Sequence, residues 1–257
     1  MKIHFFKYQA TGNDFIVIDG RQHSFNPERT VLEKICDRRF GVGADGVIIV
    51  NEYPGVDFEL QYYNPDGSSS LCGNGTRSAV HFALKIGLVQ GTKTKFMAYD
   101  GLHEAELLEN GNIKLKMSDV HNIRELTEGH YADTGSPHLV KIVDNLDETD
   151  VLGEGRDLRY KTPIDGGVNV NFVEKEEVNT IKVRTYERGV ENETLSCGTG
   201  VTACALVTGA EKGPVLIKTL GGELEVDFVK SSDDSFSNIY LTGPAELVFE
   251  GTYDISN

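Results

Sequence analysis

At 257 residues, with 25 lysine and arginine against 40 aspartate and glutamate residues, the chain carries a net charge of -15. A field of that sign repels nucleic acid and anionic membrane surfaces alike, which leaves small molecules as the expected partners. The N-terminal stretch MKIHFFKYQATGNDF is broken by polar residues, and no run of about 18 apolar residues occurs, so a cytoplasmic protein without signal peptide or membrane span is expected.

In chain order, FIVID (15–19) reads as a strand, Pro27 to Asp37 as a helix, and GVIIV (46–50) and DFELQYY (57–63) as further strands. A second helix is predicted from Gly73 to Lys85, ended by Gly87. NIKLKM (112–117) follows the hairpin pair Asn110-Gly111, and IKVRTY (181–186) is a strand in the second half. A third helix runs from Gly198 to Thr208 and stops at Gly209. PVLIKT (214–219) and ELEVDFV (223–229) flank Gly221-Gly222, and IYLTG (239–243) is the next strand. The fold class implied is α/β in the broad α+β sense, strand-rich and largely antiparallel, in two halves with one main helix each.

The four cysteines are too few for a disulfide framework in a chain of this length, and their spacing does not suggest zinc, so free thiols and no metal are expected. Two of them echo each other. Cys-Gly-Asn-Gly at 72–75 and Cys-Gly-Thr-Gly at 197–200 each open a helix, and a Thr-Gly pair (Thr11-Gly12, Thr134-Gly135) stands 61 or 63 residues before each cysteine. The echo points to a duplication with its junction near Asp119. Cys36 and Cys204 fall inside helices, where a thiol usually serves as a small apolar side chain.

A helix start bares N–H groups and partial positive charge, so it can bind a carboxylate and favour a thiolate. A weakly acidic α-proton needs a base facing the carbon, together with donors for the charge that spreads into the carboxylate. One thiolate and one thiol, at two such helix starts, would remove the proton from one face and return another from the opposite face. Mutual repulsion favours the singly ionised pair.

TGNDFIVID (11–19), RRFGVGADG (38–46), YYNPDGSSSLCGNGTR (62–77), GSPHLV (135–140), GVNVNFVE (167–174), ERGVENETLSCGTGVTA (187–203) and LTGPAELVFEG (241–251) resemble, in order, the motifs of the diaminopimelate epimerases. The resemblance implies conversion of LL-diaminopimelate to the meso form, for lysine and cell-wall synthesis, without pyridoxal phosphate, other cofactor or metal. It further implies two pseudo-symmetric domains, each wrapped around a central helix, with the active site in the cleft between them, and a homodimer. The domains expected are 1–118, completed by a C-terminal strand at about 247–257, and 119–246. By matching position, Cys72 and Cys197 are the acid and base, Cys72 facing the L-configured hydrogen. Gly73, Asn74, Gly198 and Thr199 would hold the reacting carboxylate, and Asn13, Asn64, Asn169 and Arg188 the distal head group. Glu187 and His138 match residues that assist the thiols, and Glu187 is also placed among the substrate contacts.

Without the resemblance, Asn64-Pro65-Asp66-Gly67, Asn13-Asp14 and Arg188-Gly189 each read more readily as turns. The sequence departs from the family pattern at Ser136, where many members carry Asn, and in GVENET, which is longer than the usual loop; these touch substrate choice. The competing readings are a two-cysteine racemase acting on proline, hydroxyproline or histidine, an isomerase with a carboxylate base, and a binding module that retains the fold. Asn74, where proline racemases tend to carry His, argues against the first, and the cysteine pair against the second.

Overall fold

The computed structural model describes residues 2–22, 25, 27–69, 72–208, 212–232 and 234–255. The chain divides into two compact units, one of residues 1–115 with 244–257 and the other of residues 116–243.

In the first unit, β1 (Lys2–Ala10) and β2 (Asn13–Asp19) form a hairpin closed by Thr11-Gly12. Both turn residues have positive φ, 44° and 90°, the backbone that matches the twist of a two-residue hairpin. α1 (Arg29–Cys36) crosses over to β3 (Gly46–Asn51), which runs parallel to β2. β4 (Phe58–Tyr63) pairs antiparallel with β3. α2 (Gly73–Lys85) then crosses to β5 (Lys93–Ala98), parallel to β4, and β6 (Gly101–Leu107) and β7 (Ile113–Lys116) continue antiparallel. α2 is buried without interruption from Gly73 to Val80. It packs against β1, β2, β3 and β4. Small residues around its first turns are what allow strands to close on it from several sides.

The second unit repeats this order. β8 (Arg124–Leu126) and β9 (Gly129–Asp133) precede β10 (Pro137–Ile142), and β9 and β10 form the hairpin that contains Thr134-Gly135. α3 (Val151–Lys161) crosses to β11 (Asn169–Glu177), parallel to β10. β12 (Thr180–Glu187) pairs antiparallel with β11, and the short β13 (Asn192–Thr194) borders it. α4 (Gly198–Val207) crosses to β14 (Val215–Thr219), parallel to β12, with β15 (Gly222–Ser232) and β16 (Ser235–Gly243) following antiparallel. The last strand, β17 (Glu246–Asp254), pairs with β1 of the first unit. In each unit, then, a Thr-Gly hairpin leads through one crossover helix and an antiparallel strand to a helix that a cysteine begins.

Two expectations need correction. The helix predicted from Pro27 starts at Arg29, because Glu28 is its N-cap. α3 was not expected at all: VLGEGRDLRYK carries Gly153 and Gly155, each worth about 1 kcal/mol against a helix. Tertiary packing overrides that cost. Val151, Gly155, Leu158 and Arg159 form the buried stripe, a Cβ at Gly155 would stand 2.6 Å from Tyr186 Cβ, and Asp150 caps the start by accepting from Gly153 N–H at 2.9 Å. The predicted stop at Gly209 lies outside the described residues.

Candidate active site

Cys72 is the N-cap of α2, with extended backbone and its Sγ accepting from Gly75 N–H at 3.4 Å. Gly73 and Asn74, the first helical residues, are buried. The Asn74 oxygen accepts from Arg77 Nη2 at 2.9 Å and from Thr11 Oγ1 at 3.4 Å, while its nitrogen donates to Asn13 Oδ1. Asn13 in turn donates to Asp45 Oδ2 at 2.9 Å. Arg can only donate and a carboxylate can only accept, so both ends of this chain fix the orientation of the two amides between them. Beyond Asp45, Arg38 forks onto Asp14 at 2.8 and 2.7 Å and also reaches Asp45. Burial alone would raise Asp14, but Arg38 and Lys7 hold its carboxyl at about 2. Asn64 donates to Ser68 Oγ at 3.0 Å and to Ser68 O at 3.3 Å, closing the turn after β4.

Cys197 is the N-cap of α4, followed by Gly198, Thr199 and Gly200. Its Sγ lies 3.5 Å from Thr199 Oγ1, and that hydroxyl lies 3.0 Å from His138 Nε2. The tautomer of His138 follows from its other neighbour. Asn171 Nδ2 donates to Leu139 O at 3.1 Å and to His138 Nδ1, also at 3.1 Å, with Thr185 Oγ1 donating to the Asn171 oxygen at 3.0 Å. His138 Nδ1 is therefore an acceptor, Nε2 carries the hydrogen, and the Thr199 hydroxyl that receives it is free to donate to sulfur. His138 is fully buried, and burial together with the charge of Arg188 pushes its pKa down to about 3. It is thus a neutral donor near pH 7.

Arg188 and Asn169 meet through the residue left off the expected site. Ser136 Oγ accepts from Asn169 Nδ2 at 3.0 Å and from Arg188 Nη2 at 3.5 Å, and the Asn169 oxygen accepts from Arg188 N–H at 2.9 Å. The guanidinium also reaches Gly167 O at 3.5 Å. Bonds of that length are weak, so a carboxylate can displace them. Glu187, half-buried at the end of β12, precedes Arg188, and its carbonyl accepts from Glu191 N–H at 2.8 Å. Glu191 braces the 187–191 loop from below, accepting from Gly189 N–H at 3.0 Å and from Arg159 Nε at 3.2 Å.

Each unit thus joins its Thr-Gly hairpin to the third residue of its Cys-Gly-x-Gly segment. Thr11 Oγ1 reaches Asn74, and Thr134 Oγ1 donates to Thr199 O at 2.8 Å. The other two cysteines sit apart from these networks. Cys36 lies in a core cluster, where burial pushes its thiol up to about 11, and Cys204 is fully buried and pushed well above its ordinary value. Among the described residues, no group of three or more His, Cys, Asp or Glu side chains is placed to hold a metal ion. No described helix is long and apolar enough to cross a membrane.

The profile of the diaminopimelate epimerases matches residues 5–123 and 130–248. The chain belongs to that family. A diaminopimelate epimerase of Flavobacterium psychrophilum is 46% identical over 254 residues, covering 96% of this chain and 98% of its own. One from Aquifex aeolicus is 41% identical over 275 aligned residues, covering 97% of each chain. Among solved structures, a Bacillus anthracis protein of the PhzF phenazine-biosynthesis family superposes with a TM-score of 0.78 at 17% identity, over 99% of both chains. A hydroxyproline epimerase from Agrobacterium vitis gives 0.70 at 14% identity, over 98% of this chain and 92% of its own. At such identities these two share the fold with this diaminopimelate epimerase family member and nothing finer. Sequence reasoning missed Arg77, Asn171, Thr185 and Ser136. Of these only Ser136 carried a signal, as a departure from the family motif.

Proposed function

We propose that the protein interconverts LL- and meso-2,6-diaminopimelate by proton transfer between Cys72 and Cys197, without cofactor, as a cytoplasmic homodimer. One observation carries the chemistry: each unit begins its enclosed helix with a cysteine N-cap followed by Gly-x-Gly. The first-turn N–H groups of such a helix stabilise negative charge on a carboxylate and on sulfur. Taking LL-diaminopimelate, the thiolate of one cysteine takes the α-hydrogen as an S–H bond forms and the C–H bond breaks. The electron pair spreads into the carboxylate, held by the N–H groups at 73–74 and 198–199. The other cysteine gives its proton to the opposite face. One S–H is made and one is lost, so no electron acceptor is needed.

His138 supports this step without taking the α-proton. Its neutral Nε2–H orients the Thr199 hydroxyl toward Cys197, which favours sulfur as an anion. Asn13, Asn64, Asn169 and Arg188 serve the distal amino-acid head group, with Ser136 and Asn169 holding Arg188 in place, and Glu187 assists the thiols and contacts the substrate. A monocarboxylic amino acid has no second carboxylate to replace the long bonds of the Arg188 guanidinium, and that penalises it.

Incubation with LL-diaminopimelate, with stereoisomers resolved by chromatography, tests the reading. The meso isomer is expected, with kcat/KM orders of magnitude above lysine, alanine or proline; comparable turnover of any of these three refutes the assignment. In heavy water, early product carries solvent deuterium at the inverted carbon while recovered substrate stays protiated. Cys72→Ala and Cys197→Ala each abolish epimerisation in both directions.

A further inference from the structure

We propose that Arg77 is a positioning residue for the first thiol: its buried guanidinium fixes the amide of Asn74 and supplies the positive charge against which Cys72 ionises. In the resting protein Cys72 is then the thiolate and Cys197 the thiol. The catalytic consequence rests on the epimerase reading, whereas the ionisation does not.

Arg77 is 0% exposed and heads the fully buried side chains by volume. Its partners are all neutral: Pro244 O at 3.3 Å from Nε, and Thr11 Oγ1 and Asn74 Oδ1 at 3.1 and 2.9 Å from Nη2. Nη1 is buried without a hydrogen-bond partner among the described residues. A guanidinium in such a place is an expensive way to fill volume, since buried charges are normally paired with an opposite charge. The missing anion lies on its own helix. Side chains on a helix lean toward the N-terminus, so Arg77, the fifth residue of α2, reaches back over the first turn. Its contact with Asn74 shows that reach, two residues from the Cys72 cap. Burial pushes the guanidinium down to about 10, and the charge of Cys72 acts in the opposite direction.

The neighbouring ionisable groups do not compete for this role. On the strands that pack against α2, Lys7 pairs with Asp14, and Asp19 pairs with Arg21. Tyr8 and His81 bond to each other at 3.2 Å, and burial pushes the phenol up and the imidazole down, so both are neutral. β3 contributes no ionisable side chain, and Glu59 of β4 is engaged by Gln61 at 2.8 Å. In the second unit the position that matches Arg77 carries no charge, and the cation that acts on the Cys197 network, Arg188, does so through His138. Five residues after Cys197 stands Thr202, buried and donating to Gly198 O at 2.9 Å, and the network on Cys197 begins at a neutral imidazole. The units repeat in topology and differ in charge.

The test is the pH dependence of alkylation by iodoacetamide in the absence of substrate, with Cys72 and Cys197 followed separately by peptide mass mapping. Native protein is expected to alkylate Cys72 with a midpoint at lower pH than Cys197. Arg77→Met raises the Cys72 midpoint by about one pH unit or more and leaves that of Cys197 in place. Arg77→Lys keeps the charge and restores most of the Cys72 midpoint, while its lost fork onto Thr11 and Asn74 raises KM for diaminopimelate. Equal midpoints in the native protein, which need no variant to measure, overturn the proposal. So does a folded Arg77→Met protein in which Cys72 and Cys197 titrate as before. A Cys72 thiolate that depends on Arg77 in a protein inactive on diaminopimelate would leave this inference standing and remove the functional reading.

Discussion

His138 Nε2 stands 3.0 Å from Thr199 Oγ1, and because Asn171 occupies the other ring nitrogen, the proton of the imidazole points at that hydroxyl. The hydroxyl proton is thereby directed to Cys197 Sγ at 3.5 Å. Thr199→Val keeps the shape and removes the relay. A charge-assisted hydrogen bond of this kind is worth about 1.5–3 kcal/mol, so kcat/KM is expected to fall roughly 10- to 100-fold, with the alkylation midpoint of Cys197 moving up. Thr199→Ser retains the hydroxyl and most of the activity. An unchanged Cys197 midpoint in Thr199→Val would show that the hydroxyl does not act on sulfur.

The buried, neutral state of His138 has a signature in stability. Its folded pKa is depressed to about 3, whereas an unfolded histidine titrates near 6.5. Between those values the unfolded chain binds the extra proton. Stability from this group is therefore complete above about pH 6.5 and is lost as pH falls toward 3, with a slope of up to about 1.4 kcal/mol per pH unit. Urea unfolding of native protein and His138→Gln across pH 7 to 4 measures this. The variant should show a shallower decline, and parallel curves would mean that His138 is accessible to protons in the folded state.

What the sequence made legible is what depends on local chemistry. Cysteine followed by Gly-x-Gly announces a helix start, and α2 and α4 begin at those positions. Asn110-Gly111 and Gly221-Gly222 announce hairpins, and both connect antiparallel strands. α3 was hidden because Gly155 answers to Tyr186, in a distant strand, and Gly153 to the Asp150 cap, and neither to helix propensity. Asn171 and Arg77 were hidden for a related reason. Each is unremarkable among its sequence neighbours, and each gains its role from contacts 32 to 66 residues away: Asn171 with Leu139, Arg77 with Thr11. The turn suggested by Asn-Pro-Asp-Gly, by contrast, was legible from neighbours alone, and Asn64 Nδ2 donates to Ser68 within it.

Ser136 offers a test of the distal site. Its oxygen accepts from both Asn169 and Arg188, so Ser136→Ala leaves the Asn169 amide short of one acceptor and loosens the guanidinium. The loss of a hydrogen bond worth about 1 kcal/mol should raise KM for diaminopimelate about 3- to 10-fold. kcat should stay within about twofold, because neither thiol is touched. A fall in kcat at unchanged KM would place Ser136 with the proton-transfer machinery.

Gly75 and Gly200 occupy the same position in the two Cys-Gly-x-Gly segments but face different surroundings. A Cβ at Gly75 would meet Ile48, Phe15 and Tyr62 at 3.4 Å, ordinary van der Waals contact. A Cβ at Gly200 would collide with Asn171 Oδ1 and stand 3.3 Å from Cys197 Cβ. Asn171 is also what fixes the tautomer of His138, so the intruding methyl group damages packing and relay together. Gly200→Ala is expected to destabilise by about 1–3 kcal/mol, as overpacking does, and to lower kcat at temperatures where the protein remains folded. Gly75→Ala gains up to about 1 kcal/mol of helix propensity against its tighter contacts and should stay near native stability. Thermal melts and kcat on the two variants decide the matter: equal damage at both positions would mean that the second glycine serves helix geometry alone, and harmless substitution at Gly200 would mean that Asn171 yields without disturbing His138.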